Sequence, residues 1–415
     1  MAKLERGSKF SLKFLLLLRG IEILEKIMKI AIFSDTFPPQ INGVANVVYQ
    51  SAKNLAAKGH DIWIFTVCKK SQSKSFWAEK KINVVILPSI PAGAYRGERF
   101  SLPVGKAFRR LKEFQPDVIH IHTPFGVGWE AVWAARKLKK PLVGTHHTFY
   151  DHYLKHIKAD FNWVKKFSWK YTAMFYNFCD LVLSPSQSLA QTLTQKGLKK
   201  PIEVLQNSIE TDFFVPAPDE KTKKDLKKEF GIKGKSIVYM GRVSYEKSID
   251  QVLKAFALLA KKEPHLTLMI VGEGPEKEKL EKLAAKLGIK NKVIFTGLLR
   301  GENLVQALQA SDIFVTASKS ENMPLSVLEA MSCGLPIVAA GEKGLIEIIK
   351  DGINGFLVKA DNPPELANKI LQLLSDESLL KEFSQASRAQ AMNYSRETVT
   401  KLLEQAYTKA CQLKI

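Results

Sequence analysis

From Met28 onward the chain alternates short apolar runs with amphipathic stretches, and it does so twice. The first series contains KIAIFS (29–34), DIWIFTV (61–67), VVILP, DVIHIH, PLVGTH and LVLSPS, each bounded by Pro, Gly or polar residues. Between the first two, GVANVVYQSAKNLAAKG (43–59) reads as a helix ended by Gly59. The rhythm pauses at VPAPDEKTKKDLKKEFGIKGK (215–235), a linker followed by a surface helix. It resumes with SIVYMGR, LTLMIVG, KVIFTG, DIFVTAS, PIVAA and GFLVK. Strands that alternate with helices build parallel sheets from βαβ units. The expected fold is therefore α/β, with two Rossmann-like doubly wound domains facing across a cleft and ligands at the carboxyl ends of their strands. The expected boundaries are 28–204 and 205–390, with the connection near 205–218 and a C-terminal helix within 391–415 able to pack on either domain.

A chain of 415 residues agrees with two domains of roughly 200 residues each. Residues 1–27 hold an apolar run of only five residues, Phe14–Leu18, and no small-residue cleavage site, so they read as an upstream extension with the natural start at Met28. No stretch approaches the ~20 apolar residues that span a bilayer. The four cysteines are isolated, with no C-x-x-C, which argues against a disulfide framework or structural zinc and for a reducing, cytoplasmic compartment. Net charge is +21, and residues 1–218 carry 32 Lys/Arg against 16 Asp/Glu. Such a basic half implies an anionic partner, a membrane surface or nucleic acid, unless its lysines are merely solvated.

In SKSENMPLSVLEAMSCGLPIVAA (318–340), Glu321 lies in a loop after a strand and Glu329 on an otherwise apolar short helix. A carboxylate there costs free energy unless it is paired. The helix start offers free N–H groups and a positive dipole end that suit a diphosphate. The two glutamates, as hydrogen-bond acceptors, suit sugar hydroxyls on either side of it. YMGRVSYEKSID supplies a guanidinium and an ammonium, Arg242 and Lys247, to neutralise a departing diphosphate. IVGEGPEKEKL and PPQINGVANVV each place glycines between a strand and a helix, Gly272 and Gly43 among them, where backbone can approach a ligand closely. There is no D-x-D, so no divalent-metal motif of that kind is present and neither metal nor cofactor is expected.

In order and spacing these segments resemble the family 4 retaining glycosyltransferases, two-domain enzymes of the GT-B fold, over residues 29–390. The resemblance implies that Glu321 contacts the donor sugar and Glu329 the nucleotide ribose. By the same likeness the backbone from Asn322 through Met323 and Pro324 to Leu325 meets the β-phosphate, and Arg242 and Lys247 hold the diphosphate. It places His122, at the end of DVIHIH, at the donor sugar as a catalytic contact. Gly43 and Gly272 are assigned to the donor site. One departure is NSIETDFF, where the family often has N-G-I/V-D; Ser208 restricts the backbone there, and the segment is left out of the site.

GTHHTFYDHYLKHI (144–157) is similar to the H-T-x-Y-x-x-Y region of bacterial diacylglycerol glucosyltransferases, which assigns His147, Tyr150 and Tyr153 to acceptor binding. A metal site at this cluster is the disfavoured alternative. A helical wheel over 154–171 gathers Lys155, Lys158, Lys165, Lys166 and Lys170 on one face with Trp169 among them, and Leu154, Ile157, Phe161, Val164, Phe167 and Tyr171 on the other. Basic amphipathic helices with aromatics lie on anionic bilayers; the alternative is a packed helix with solvated lysines. The expected activity is transfer of glucose from UDP-glucose to a lipid such as diacylglycerol, by an enzyme held peripherally on the inner face of the cell membrane. Two alternatives stand beside it. One is the same fold acting on a phosphatidylinositol, a polyprenyl-linked glycan or a soluble sugar. The other is a basic nucleic-acid-binding protein, disfavoured because no recognised nucleic-acid module accompanies the charge.

Overall fold

The structure is a computed structural model that describes residues 26–40, 42–67, 82–91, 99–101, 105–148 and 161–414. Tyr150, Tyr153, Lys155, Lys158 and all but the end of the 1–27 extension lie outside the described residues.

The first apolar series forms a seven-stranded parallel sheet of β1 (Lys29–Ser34), β2 (Asp61–Thr66), β3 (Ile82–Ile86), β4 (Val118–Ile121), β5 (Leu142–Thr145), β6 (Leu181–Ser184) and β7 (Ile202–Val204). Its order is β3-β2-β1-β4-β5-β6-β7. The second series forms a six-stranded parallel sheet of β8 (Ser236–Met240), β9 (Thr267–Val271), β10 (Val293–Gly297), β11 (Ile313–Thr316), β12 (Ile337–Ala340) and β13 (Gly355–Val358). Its order is β10-β9-β8-β11-β12-β13. In each sheet the order reverses beside the first strand, which opens a crevice at the carboxyl edge. The sequence pattern missed β7 and a short antiparallel hairpin, Ser89–Pro91 with Arg99–Ser101. Three residues are too few to show a period.

The strands read as unbroken apolar runs because helices cover both faces. Along β1 the side chains alternate: Ala31 and Phe33 join one core, Ile30 and Ile32 the other. The Phe33 ring stacks on Phe65, their centroids 4.4 Å apart. The Ile30/Ile32 face is closed by the helices Gly43–Ala57 and Arg396–Leu413. The C-terminal helix therefore packs on the first lobe, presenting Leu403, Ala406, Tyr407 and Ala410 at helical spacing. Two polar contacts fix its register: Tyr407 Oη lies 2.8 Å from His120 Nδ1, and Glu404 lies 2.7 Å from His60 Nε2. The chain thus crosses between lobes twice, through the linker after β7 and again before Arg396.

Tyr407 is fully buried. A Tyr407→Ala substitution is expected to cost about 3–5 kcal/mol, the range for deleting a buried ring. Hydrogen exchange should show the loss concentrated in β1, β4 and β5 and not in the second sheet.

Candidate active site

A cavity of about 320 Å³ opens between the two carboxyl edges. The first lobe contributes Asn42, Gly43 and His147; the second contributes Arg242, Lys247 and Glu321. Asn42 caps the helix Gly43–Ala57 by accepting from Ala45 N at 2.8 Å. A Cβ on Gly43 would meet nothing within 4 Å, so this helix end faces open space that a ligand can enter. Across the gap the helix Leu325–Ser332 starts at Pro324, and no side chain caps it. Two helix N-termini, one from each lobe, border one cavity, an arrangement that favours negative charge between them.

Within the cavity Lys247 Nζ lies 2.6 Å from Glu321 Oε1, and both side chains are largely shielded from solvent. Lys247 ends a short helical turn, Tyr245–Lys247, and Ser248 follows in the left-handed region at φ 51°. That sparsely populated conformation turns the chain sharply into the helix Ile249–Lys262. Arg242 is exposed to the cavity, and among the described residues its guanidinium has no side-chain partner. Its backbone is held from behind. Gly241 N donates to Val271 O at 3.0 Å, and Val243 N donates to Glu273 O at 3.0 Å. Gly272, expected at the donor, does not line the cavity. A Cβ there would lie 1.9 Å from Gly241 O, so this glycine lets two loops interlock beneath Arg242.

The sequence reading also needs correction at the linker after β7. Asn207 lines the main cavity, and its Nδ2 donates to Met323 O at 2.9 Å. Ser208 is not in the left-handed region, so glycine is not required there and its replacement was no reason to omit the segment. Ser208 and Glu210 border a smaller adjoining cavity that also contains Glu329, with Asn46, Gln50 and Asn54 facing them from the first lobe. Burial, and then the nearby Glu210 carboxylate, push Glu329 up to about 7. Four histidines near the cavity, His120, His122, His146 and His147, are held neutral. Burial, reinforced by neighbouring histidines, lowers His120 and His146 to about 3 and His122 well below its usual value; burial alone lowers His147 to about 4.

His147 borders the main cavity, whereas His122 sits one layer back. The His122 Nδ1 atom lies 2.9 Å from His147 Nε2, and the two rings stack. His122 therefore touches the site through His147. His120 is a satisfied core residue, bonded to Tyr407 and to Thr145 Oγ1 at 2.7 Å. Among the described residues no group of three or more His, Cys, Asp or Glu side chains is placed to hold a metal ion.

The helical wheel fails at Trp169. The helix runs Asn162–Tyr176, and its buried residues are Trp169, Thr172, Ala173, Phe175 and Tyr176. Trp169 is 4% exposed and packs edge-on against the His146 ring. The wheel stopped at residue 171 and so missed the residues that set the buried face. The outer face instead carries Trp163, Phe167 and Met174, the first two 72% and 66% exposed, beside exposed Lys166 and Lys170. Lys165 is half-buried.

Residues 220–390 match the pattern of the glycosyl transferases group 1, and residues 41–213 match that of glycosyltransferase family 4. The chain is 33% identical over 353 residues to an alpha-monoglucosyldiacylglycerol synthase of Streptococcus pneumoniae, covering 84% of this chain and 78% of that protein. The chain belongs to the group 1, family 4 glycosyltransferases. It is also similar to a GDP-mannose-dependent alpha-mannosyltransferase of Corynebacterium glutamicum, 26% identical over 93% of this chain and 90% of that one. Among solved structures, Anabaena HepE in complex with UDP superposes with a TM-score of 0.77 at 21% identity, over 92% of this chain and all of the other. Sucrose-phosphate synthase of Thermosynechococcus elongatus superposes at 0.75 and 19%, over 92% and 98%. The fold is GT-B, and the protein is a glycosyltransferase. Asn42 and Asn207 are cavity residues that sequence reasoning missed. A helix-capping asparagine just before a glycine at a strand-to-helix turn was the available signal for Asn42.

Because the folded protein holds the Glu329 proton more tightly than the unfolded chain, the contribution of Glu329 to stability should decline as pH rises from 4.5 to about 7, against the opposing rise from the buried neutral histidines. Thermal melts of Glu329→Gln should show a higher midpoint than wild type at pH 8, with the gap closing by pH 4.5. A gap independent of pH would contradict the assignment.

Proposed function

We propose that the protein transfers glucose, with retention, from UDP-glucose to the hydroxyl of a diacylglycerol-type lipid on an anionic membrane surface. The observation that carries the reading is the convergence of Arg242, Lys247 and Glu321 on one cavity between two helix N-termini. In this reading the donor diphosphate lies between Arg242 and Lys247, with the Leu325 helix end at the β-phosphate. The diphosphate draws Lys247 away from Glu321, and the released carboxylate accepts from sugar hydroxyls. Glu329 accepts from the ribose, while His147 and Gly43 close the donor from the first lobe. The bond from the sugar C1 to the β-phosphate oxygen breaks as the acceptor oxygen approaches the same face. The acceptor proton passes to the departing phosphate oxygen, whose negative charge the two cations and the helix ends stabilise. No step calls on a metal ion.

The choice of glucose and of a lipid acceptor is supported by the synthase relative and by the first-lobe surface. Trp163, Phe167 and Met174 form a stripe at i, i+4 and i+11 of one helix, flanked by Lys166 and Lys170. Arg109 and Arg110 are exposed on the helix Lys106–Phe114. Exposed aromatics among lysines suit the interface of an anionic bilayer. No helix among the described residues is long and apolar enough to cross a membrane. Attachment in this reading is peripheral, on the cytoplasmic face.

With labelled UDP-glucose and mixed lipids, product is expected as a glucosylated diacylglycerol. Lys247→Ala should lower turnover roughly 10²-fold, the effect of losing one charge-stabilising group. Labelled GDP-mannose giving the only product would replace the donor, and undiminished turnover in Lys247→Ala would remove its role. Vesicles containing phosphatidylglycerol should sediment the protein at low salt and release it at high salt, with weaker sedimentation for Trp163→Ser/Phe167→Ser. Absence of sedimentation at every salt concentration would refute the membrane assignment.

A further inference from the structure

The donor loop and the short helix joined to it are tied to the opposite lobe at two points. The first is the side chain of Asn322, the residue after Glu321. Its Nδ2 donates to His147 O at 2.7 Å, and its Oδ1 accepts from Ser186 Oγ. The second is Glu347, on the short helix Leu345–Ile348 of the second lobe. Its carboxylate accepts from Gln187 N at 2.7 Å and from Ser188 N at 2.8 Å. Those amides begin the first-lobe helix Gln187–Gln195, whose next amide, Leu189 N, is taken by Ser186 Oγ at 3.2 Å. The leading N–H groups of a helix have no partner within it and normally find one close in sequence. Here two of them are satisfied by an anion some 160 residues away, on the other lobe. Separating the lobes breaks both contacts together.

The same segment is joined to the catalytic loop. Gly344 N donates to Glu321 O at 3.1 Å. A Cβ on Gly344 would lie 1.5 Å from Asn322 O, so only glycine lets the two loops pack this closely. We propose that Glu347 and the Ser186–Asn322 contact form a clasp that holds the lobes closed and thereby positions Glu321 for transfer. Glu347 and Ser186 do not line the cavity, so they act through Asn322 and Gly344 as positioning residues. The proposal rests on the glycosyltransferase reading for its kinetic arm alone.

The test uses the full chain in solution. Small-angle scattering should give a larger radius of gyration for Glu347→Ala than for wild type, larger still for Glu347→Ala/Ser186→Ala. Glu347→Gln, which keeps one acceptor oxygen, should fall between wild type and Glu347→Ala. With UDP-glucose, kcat should fall on the order of tenfold or more in Glu347→Ala, as misplacement of a reacting group predicts. Binding of UDP, measured by calorimetry, should stay within about threefold of wild type, well below that kinetic effect. Glu347→Gln should restore part of kcat. Scattering curves that superpose on wild type would overturn the clasp. So would an unchanged kcat, or a loss of UDP binding that matches the loss of kcat. If wild type turns over neither UDP-glucose nor GDP-mannose, the donor assignment fails, and the scattering curves alone decide the clasp.

Discussion

The ion pair between Lys247 and Glu321 sets the electrostatics of the cleft. A lone ammonium or carboxylate in so enclosed a place would bear a desolvation cost with no compensation, and removal of either partner would leave the other exposed to it. Paired at 2.6 Å, the two compensate each other. Arg242 needs no such partner because it faces open space, with its backbone secured by the interlocked loops around Gly241 and Gly272. One cation is thus kept in reserve by an acid and the other by architecture. The helix ends contribute partial charge that requires no counter-ion.

His120, His122, His146 and His147 serve a different purpose. All are held neutral by their surroundings, so each ring offers one donor and one acceptor across the physiological range. His147 reaches the cavity, His122 steadies it, and His120 connects that pair to the C-terminal helix through Tyr407. The aromatic backing of His146 by Trp169 completes the support, so a tryptophan expected on the membrane side contributes to the site's foundation instead.

Much of this was legible in the sequence because it is written locally. Parallel strands covered on both faces read as apolar runs; Glu321 declares itself in the loop that follows one, and Glu329 on an otherwise apolar helix. What lay beyond reach depends on partners distant along the chain. An apolar stripe at 403, 406, 407 and 410 says that the last helix is buried, but the sheet it covers is decided by His60 and His120, hundreds of residues earlier. The linker was passed over because Ser208 stands where relatives often have glycine, and only the observed backbone shows that no special conformation is needed there. Trp169 was misplaced because a wheel drawn over the wrong window rotates the buried face.

The return of the last helix to the first lobe bears on how the protein is made. Translation delivers β1 through β7 early, and domains generally begin to fold as they emerge. Yet one of the two helices that cover Ile30 and Ile32, and the hydroxyl bonded to His120, come only with residues 396–413. Until residues 396–413 are made, part of the first lobe's apolar flank stays uncovered. The first lobe is thus completed by a segment that follows the second lobe in the chain, so the two lobes cannot mature independently.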